Sequence, residues 1–108
     1  MTSGRWAEAF LEMMAAERGA SPQTLRAYGR DLEDMAGFLC GRGLDAASAT
    51  PEDIEAYFAD LTRRGLSTAT AARRRSALRQ FFLFLLDEGW RSDDPSRRLE
   101  SAPRRRPT

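Results

Sequence analysis

The sequence predicts an all-α fold, a compact bundle of four to five helices, and three observations carry that expectation. The 108 residues contain no valine and a single isoleucine, Ile54, while alanine, leucine, glutamate and arginine are abundant. Strands favour β-branched and aromatic residues, helices Ala, Leu, Glu and Arg. Apolar residues recur at intervals of three and four, and glycines stand where each periodic stretch stops. The length supports one hydrophobic core and not two.

The first helix is expected from about Gly4 to Arg18, with Trp6, Phe10, Met13 and Met14 on one face and Gly19 as its stop. The second opens with Ser21-Pro22, an N-cap followed by proline at the first helical position, where its missing N–H costs nothing. Its stripe of Leu25, Tyr28, Leu32, Met35 and Leu39 marks the core-facing side, and Gly41 and Gly43 end it. The third opens with Thr50-Pro51-Glu52-Asp53, a capping-box-like start with acids at the positive helix end. Ile54, Tyr57, Phe58 and Leu61 form its buried face and Gly65 stops it. The fourth starts at Ser67 or Thr68, runs about 20 residues, hence about 30 Å, and stops at Gly89. Ser92 to Leu99 is expected to add one short turn, with Pro95 near its first position. The domain then covers 1–100, and SAPRRRPT over 101–108 reads as an Arg/Pro-rich linker, so a further domain is expected after Thr108.

No catalytic constellation is visible, and no cofactor or metal is implied. Histidine is absent, which excludes a histidine acid or base and the Cys/His metal sites. The carboxylates Asp31, Glu33, Asp34, Glu52, Asp53 and Glu55 read as a solvated face and helix-start charges rather than an acid/base pair. Tyr28 and Tyr57 fall on apolar stripes and read as core. Cys40 is the only cysteine, so no intrachain disulfide forms and a reducing cytoplasm is the expected setting. No apolar run approaches the roughly 18–20 residues of a membrane span, and the amino terminus lacks a signal-peptide apolar region.

The charge pattern is more informative. The net charge is +1, yet residues 1–60 carry five arginines against eleven acids, and residues 61–108 carry twelve against five. Such asymmetry points to nucleic acid or to another acidic partner, without choosing between them. All basic residues are arginines; the planar guanidinium fork suits phosphates and guanine edges, and a GC-rich genome is an equal explanation. Arg73, Arg74, Arg75 and Arg79 occupy the first half of the fourth helix, with Arg63 and Arg64 just upstream and no acid between Ala69 and Leu86. The second half carries the apolar face of Leu78, Phe81, Phe82, Leu85 and Leu86. One end anchors in a core and the other awaits an anion, with duplex DNA foremost; a merely solvated arginine face is the competing reading. The second helix adds Ser21, Gln23, Thr24, Arg26 and Arg30 opposite its apolar stripe, groups suited to phosphate. Gly29 and Gly37 inside it mark either a close helix crossing or a close approach of a nucleic-acid backbone.

SPQTLRAYGRDLEDMAGFL resembles the S-x-x-T-x-x-x-Y-x-x-DL signature in the amino-terminal domain of tyrosine site-specific recombinases. LSTATAARRRSALRQFFLFLLDEG followed by DDPSRRLESAPR resembles that domain's T-x-x-R-x-LSALR-x-FF-x-FL-x-x-G helix and the NP-x-x-x-L-x-x-P that follows. The similarity covers nearly the whole chain and is nearest the Xer branch (XerC/XerD) and phage integrases. It implies a SAM-like core-binding domain forming half of a clamp on a recombination half-site, with two helices towards the major groove of double-stranded DNA. Thr24, Arg26 and Arg30 match contact positions of the first of these helices, and Thr68, Thr70, Arg73, Arg74 and Arg79 those of the second. Arg75 stands where the family usually has leucine, either as an extra contact or as the mark of a looser core. The resemblance also implies that the chemistry resides in a separate domain, so that this chain alone is not an enzyme, while the parent cuts and rejoins DNA in integration, excision or chromosome-dimer resolution. Protomers of the parent would meet on synapsed DNA, with Trp6 or Trp90 serving either that contact or the core. The rival readings are a helical protein-interaction domain that uses the acidic half, and a helix-turn-helix repressor. The second conflicts with the long connection between Gly43 and Thr50.

Overall fold

Three capped starts and four glycine stops accompany four helices. The computed structural model describes residues 3–97 and comprises α1 (Ser3–Arg18), α2 (Pro22–Gly41), α3 (Pro51–Arg63) and α4 (Thr68–Asp87). The linker expected over 101–108 lies outside the described residues, as does the end of the short turn expected up to Leu99. The chain divides into two units, one up to Ser48 and one from Ala49.

In the first unit α1 packs on α2. Phe10 and Met14 of α1 and Leu32, Met35 and Leu39 of α2 are buried, as the stripes require. A Cβ added at Gly29 would meet Leu11 Cδ1 at 3.4 Å, so this glycine lies at the helix crossing. Gly37 faces open space. One reading is corrected here. Asp31, taken from sequence as part of a solvated face, is fully buried. It lies three residues after Tyr28 and four before Met35, which places it on the inner side of α2. A buried carboxylate is tolerated only when it is engaged, and Asp31 is.

In the second unit Ile54, Tyr57 and Leu61 of α3 are buried, and so are Ala77, Leu78, Phe81, Phe82 and Leu85 of α4. The Thr50 cap is a full capping box: Thr50 Oγ1 accepts from the Asp53 amide at 3.2 Å, and Asp53 Oδ2 accepts from the Thr50 amide at 2.9 Å. Leu86, expected on the apolar face, is instead 37% exposed. It sits about 100° round the helix from Leu85, at the edge of the buried stripe.

The end of α4 explains Trp90. Gly89 takes φ +81°, a conformation costly for residues with a Cβ. Its amide donates to Leu86 O at 3.1 Å and the Trp90 amide to Leu85 O at 2.9 Å, the Schellman arrangement that satisfies the last carbonyls. The motif's apolar contact is made by Trp90, edge-on to Phe84 with ring centroids 5.7 Å apart, which leaves the indole 40% exposed. Beyond it, the Arg91 guanidinium lies 5.6 Å from the Phe82 ring centre and binds Asp93 at 3.0 Å. Asp94 Oδ1 accepts from the Ser96 amide at 2.9 Å and its hydroxyl at 2.6 Å, starting the turn foreseen at Pro95.

Candidate nucleic-acid interface

Helices α2 and α4 begin in the same way. Ser21 and Ser67 are extended N-caps, with φ −71°, ψ 158° and φ −66°, ψ 158°. Ser21 Oγ accepts from the Thr24 amide at 3.1 Å and donates to Thr24 Oγ1 at 3.1 Å. Ser67 Oγ accepts from the Thr70 amide at 3.1 Å and donates to Thr70 Oγ1 at 3.0 Å. Each threonine hydroxyl thus accepts from its cap and keeps its own O–H for donation at the positive end of a helix.

Thr24, Arg26 and Arg30 share the first turns of α2 in the first unit. Arg26 and Arg30 are exposed, one helical turn apart on the same face. Neither makes an ion pair or side-chain hydrogen bond among the described residues. They meet most directly the condition of cations awaiting an outside anion.

Thr68, Thr70, Arg73, Arg74, Arg75 and Arg79 share the first three turns of α4 in the second unit. Thr68 and Arg73 are exposed; Thr70, Arg74, Arg75 and Arg79 are half-buried. Two arginines are tied to α3. Arg74 Nη1 donates to the Tyr57 hydroxyl at 3.0 Å, and the Arg75 guanidinium lies 5.7 Å from the centre of the Phe58 ring, within cation–π range. Tyr57 and Phe58 are themselves edge-on at 5.4 Å. Consecutive aromatics of α3 therefore hold consecutive arginines of α4. Upstream, Asp60 accepts from both Arg63 and Arg64 at 3.1 Å. The Arg63 side chain is 70% exposed, those of Arg64 and Asp60 40% and 26%, and ion pairs near the surface are worth about 0–1 kcal/mol each.

Sequence reasoning missed the Tyr57–Arg74 bond and the Asp60 fork. Each had a signal: a buried tyrosine hydroxyl must find a partner, and Asp60 stands three and four residues before two arginines on a helix. Among the described residues no group of three metal-ligating side chains gathers, and no helix is long and apolar enough to cross a membrane.

Together these features define an all-α domain with two hydroxyl-capped helices that carry arginines in their opening turns. The chain belongs to the family described as phage integrase, N-terminal SAM-like domain, whose profile matches residues 7–89. It is 64% identical over 102 residues to tyrosine recombinase XerD of Caulobacter vibrioides, covering 94% of this chain and 33% of that protein. It is 47% identical over 104 residues to tyrosine recombinase XerD of Rhizobium meliloti, covering 96% and 33%. With the protein of that name from Bradyrhizobium diazoefficiens it shares 48% over 96 residues, covering 89% and 30%. The match places it in the Xer branch of the tyrosine recombinases, as an amino-terminal domain. The chain spans about a third of the length of these curated relatives, and the catalytic domain is not among its 108 residues.

Proposed function

We propose that this domain grips duplex DNA as the amino-terminal half of a clamp, in a cytoplasmic tyrosine recombinase that cuts and rejoins DNA at a recombination half-site. The observation that carries this reading is the arginine-rich, acid-free opening of α4, begun by a serine–threonine cap that α2 repeats. Phosphates are met by backbone N–H groups, hydroxyls and guanidinium forks, and each helix start offers all three. Thr24, Arg26 and Arg30 contact the backbone or groove from α2, and Thr68, Thr70, Arg73, Arg74, Arg75 and Arg79 from α4. Resemblance to proteins named tyrosine recombinase supports a parent that cuts and rejoins DNA, in integration, excision or chromosome-dimer resolution. The exposed Leu83, Leu86 and Trp90 suit contacts between protomers on synapsed DNA.

The test is an NMR titration of the chain with a duplex oligonucleotide. Amide shifts concentrated in 21–30 and 68–79 are the expected outcome, and the combined R73A, R74A and R79A variant should bind any duplex more weakly. A triple variant that binds as the parent does would show that the face is wrongly assigned. Shifts confined to the acidic faces with an added protein, and none with DNA, would favour a protein-interaction domain.

A further inference from the structure

Arg75 is met by an aromatic ring but by no acceptor. Its guanidinium lies over Phe58 of α3, 5.7 Å from the ring centre, and makes no hydrogen bond or ion pair among the described residues. None of its nitrogens is enclosed without a partner, so they stand open to solvent although the residue is half-buried. We propose that Phe58 is a positioning residue whose ring holds the Arg75 guanidinium ready for a planar pair of acceptor atoms on the duplex, a phosphate or the edge of a guanine. The proposal rests on the DNA-binding reading above.

The same unit contains the completed version of this arrangement. Arg91 lies over the Phe82 ring at 5.6 Å, and Asp93 Oδ1 accepts from its Nε at 3.2 Å and its Nη2 at 3.0 Å. Ring and carboxylate together leave the Arg91 side chain only 7% exposed. Arg75 has the ring without the carboxylate. A ring attracts the cation through its quadrupole and takes none of its N–H donors, so the fork stays available. Paired acceptors satisfy such a fork, as phosphate oxygens and the O6/N7 edge of guanine do. Thr68, Ala71, Ala72 and Arg75 fall on one face of α4, so within this helix only alanine methyls separate the threonine hydroxyl from the guanidinium. A free arginine loses much rotational freedom when it is immobilised on a ligand, and a side chain already held loses less.

The experiment is a double-mutant cycle on the 108-residue chain, using F58L, R75M and their combination. Affinity for duplex oligonucleotides of differing sequence is read by NMR titration, and folding by thermal melting. R75M keeps an apolar stem of similar reach, so it is expected to stay folded and to weaken binding by about fivefold or more. F58L removes the ring and is expected to weaken binding roughly two- to tenfold, with no further effect in the R75M background. If the acceptor is a phosphate, R75M weakens every duplex alike and flattens the log–log salt slope by about one. If it is a guanine, the loss follows one base position, and 7-deazaguanine placed there weakens the parent but not R75M. An R75M chain that binds as the parent does overturns the proposal. An F58L chain that binds as the parent does, while R75M binds weakly, overturns the positioning role. So does an F58L loss that persists undiminished in the R75M background, because the ring would then act on the fold. R26A is measured alongside: if it weakens binding while R75M and F58L do not, DNA recognition stands and the Phe58 proposal falls. If no duplex shifts any amide of the parent, both fall together.

Discussion

At the residue scale, arginines of one sequence type divide into distinct physical roles. Arg26 and Arg30 stand exposed without ion pairs among the described residues. Arg74 and Arg75 are held by aromatic side chains, and Arg91 is almost wholly withdrawn over Phe82. The arginine cluster was legible from sequence because no acid interrupts Ala69 to Leu86. The division was not, since it depends on which aromatic of α3 faces which turn of α4. Charge removal at Arg26 and Arg30 should therefore leave the fold untouched: the R26A, R30A double variant is expected to melt within about 0.5 kcal/mol of the parent while losing duplex affinity in a gel shift. Gly37 offers a cleaner stability test. It lies inside α2, its φ is not in the left-handed region, and an added Cβ would meet nothing within 4 Å. Gly37→Ala should stabilise the chain by about 0.5–1 kcal/mol, seen as a rise in the thermal midpoint. At Gly89, where φ is +81°, the same substitution should destabilise by about 1–2 kcal/mol.

At the scale of the element, helix boundaries were the most readable feature of the chain. Ser21, Thr50 and Ser67 cap where the sequence places them, and α4 runs over the 20 residues expected. Local chemistry decides such boundaries: a hydroxyl finds the third amide of its own helix whatever the rest of the chain does. Burial was less readable where an element's edge is concerned. Asp31 turned inward and Leu86 outward, because each lies on the margin of a stripe where neighbouring elements, not periodicity, decide. Ser67→Ala removes both the bond to the Thr70 amide and the bond to its hydroxyl. It should cost about 1 kcal/mol, measurable by denaturant titration, and fray the very turn that carries Thr68 and Thr70.

At the scale of the whole molecule, near-neutrality conceals separation of charge: eleven acids in residues 1–60 and twelve arginines in residues 61–108, for a net of +1. A uniformly basic chain would attract any polyanion, whereas this one presents cations from particular helices. Binding to duplex should fall linearly in log–log form as salt rises, and each phosphate contact deleted by mutation should lower the slope by about 0.9. A slope indifferent to the arginine variants would remove the electrostatic basis of the grip.

The glycine-ended close of α4 also equips the domain with an optical reporter. The chain has two tryptophans: Trp6 in the first unit, and Trp90 in the second, lodged against Phe84 by the left-handed cap. Replacing Trp6 with phenylalanine leaves a single indole, whose fluorescence reports on the end of α4 where it packs on Phe84. Loosening of the last turn of α4 should then shift the emission to the red while the far-ultraviolet helix signal is still nearly intact, so fraying can be followed by light before the domain melts.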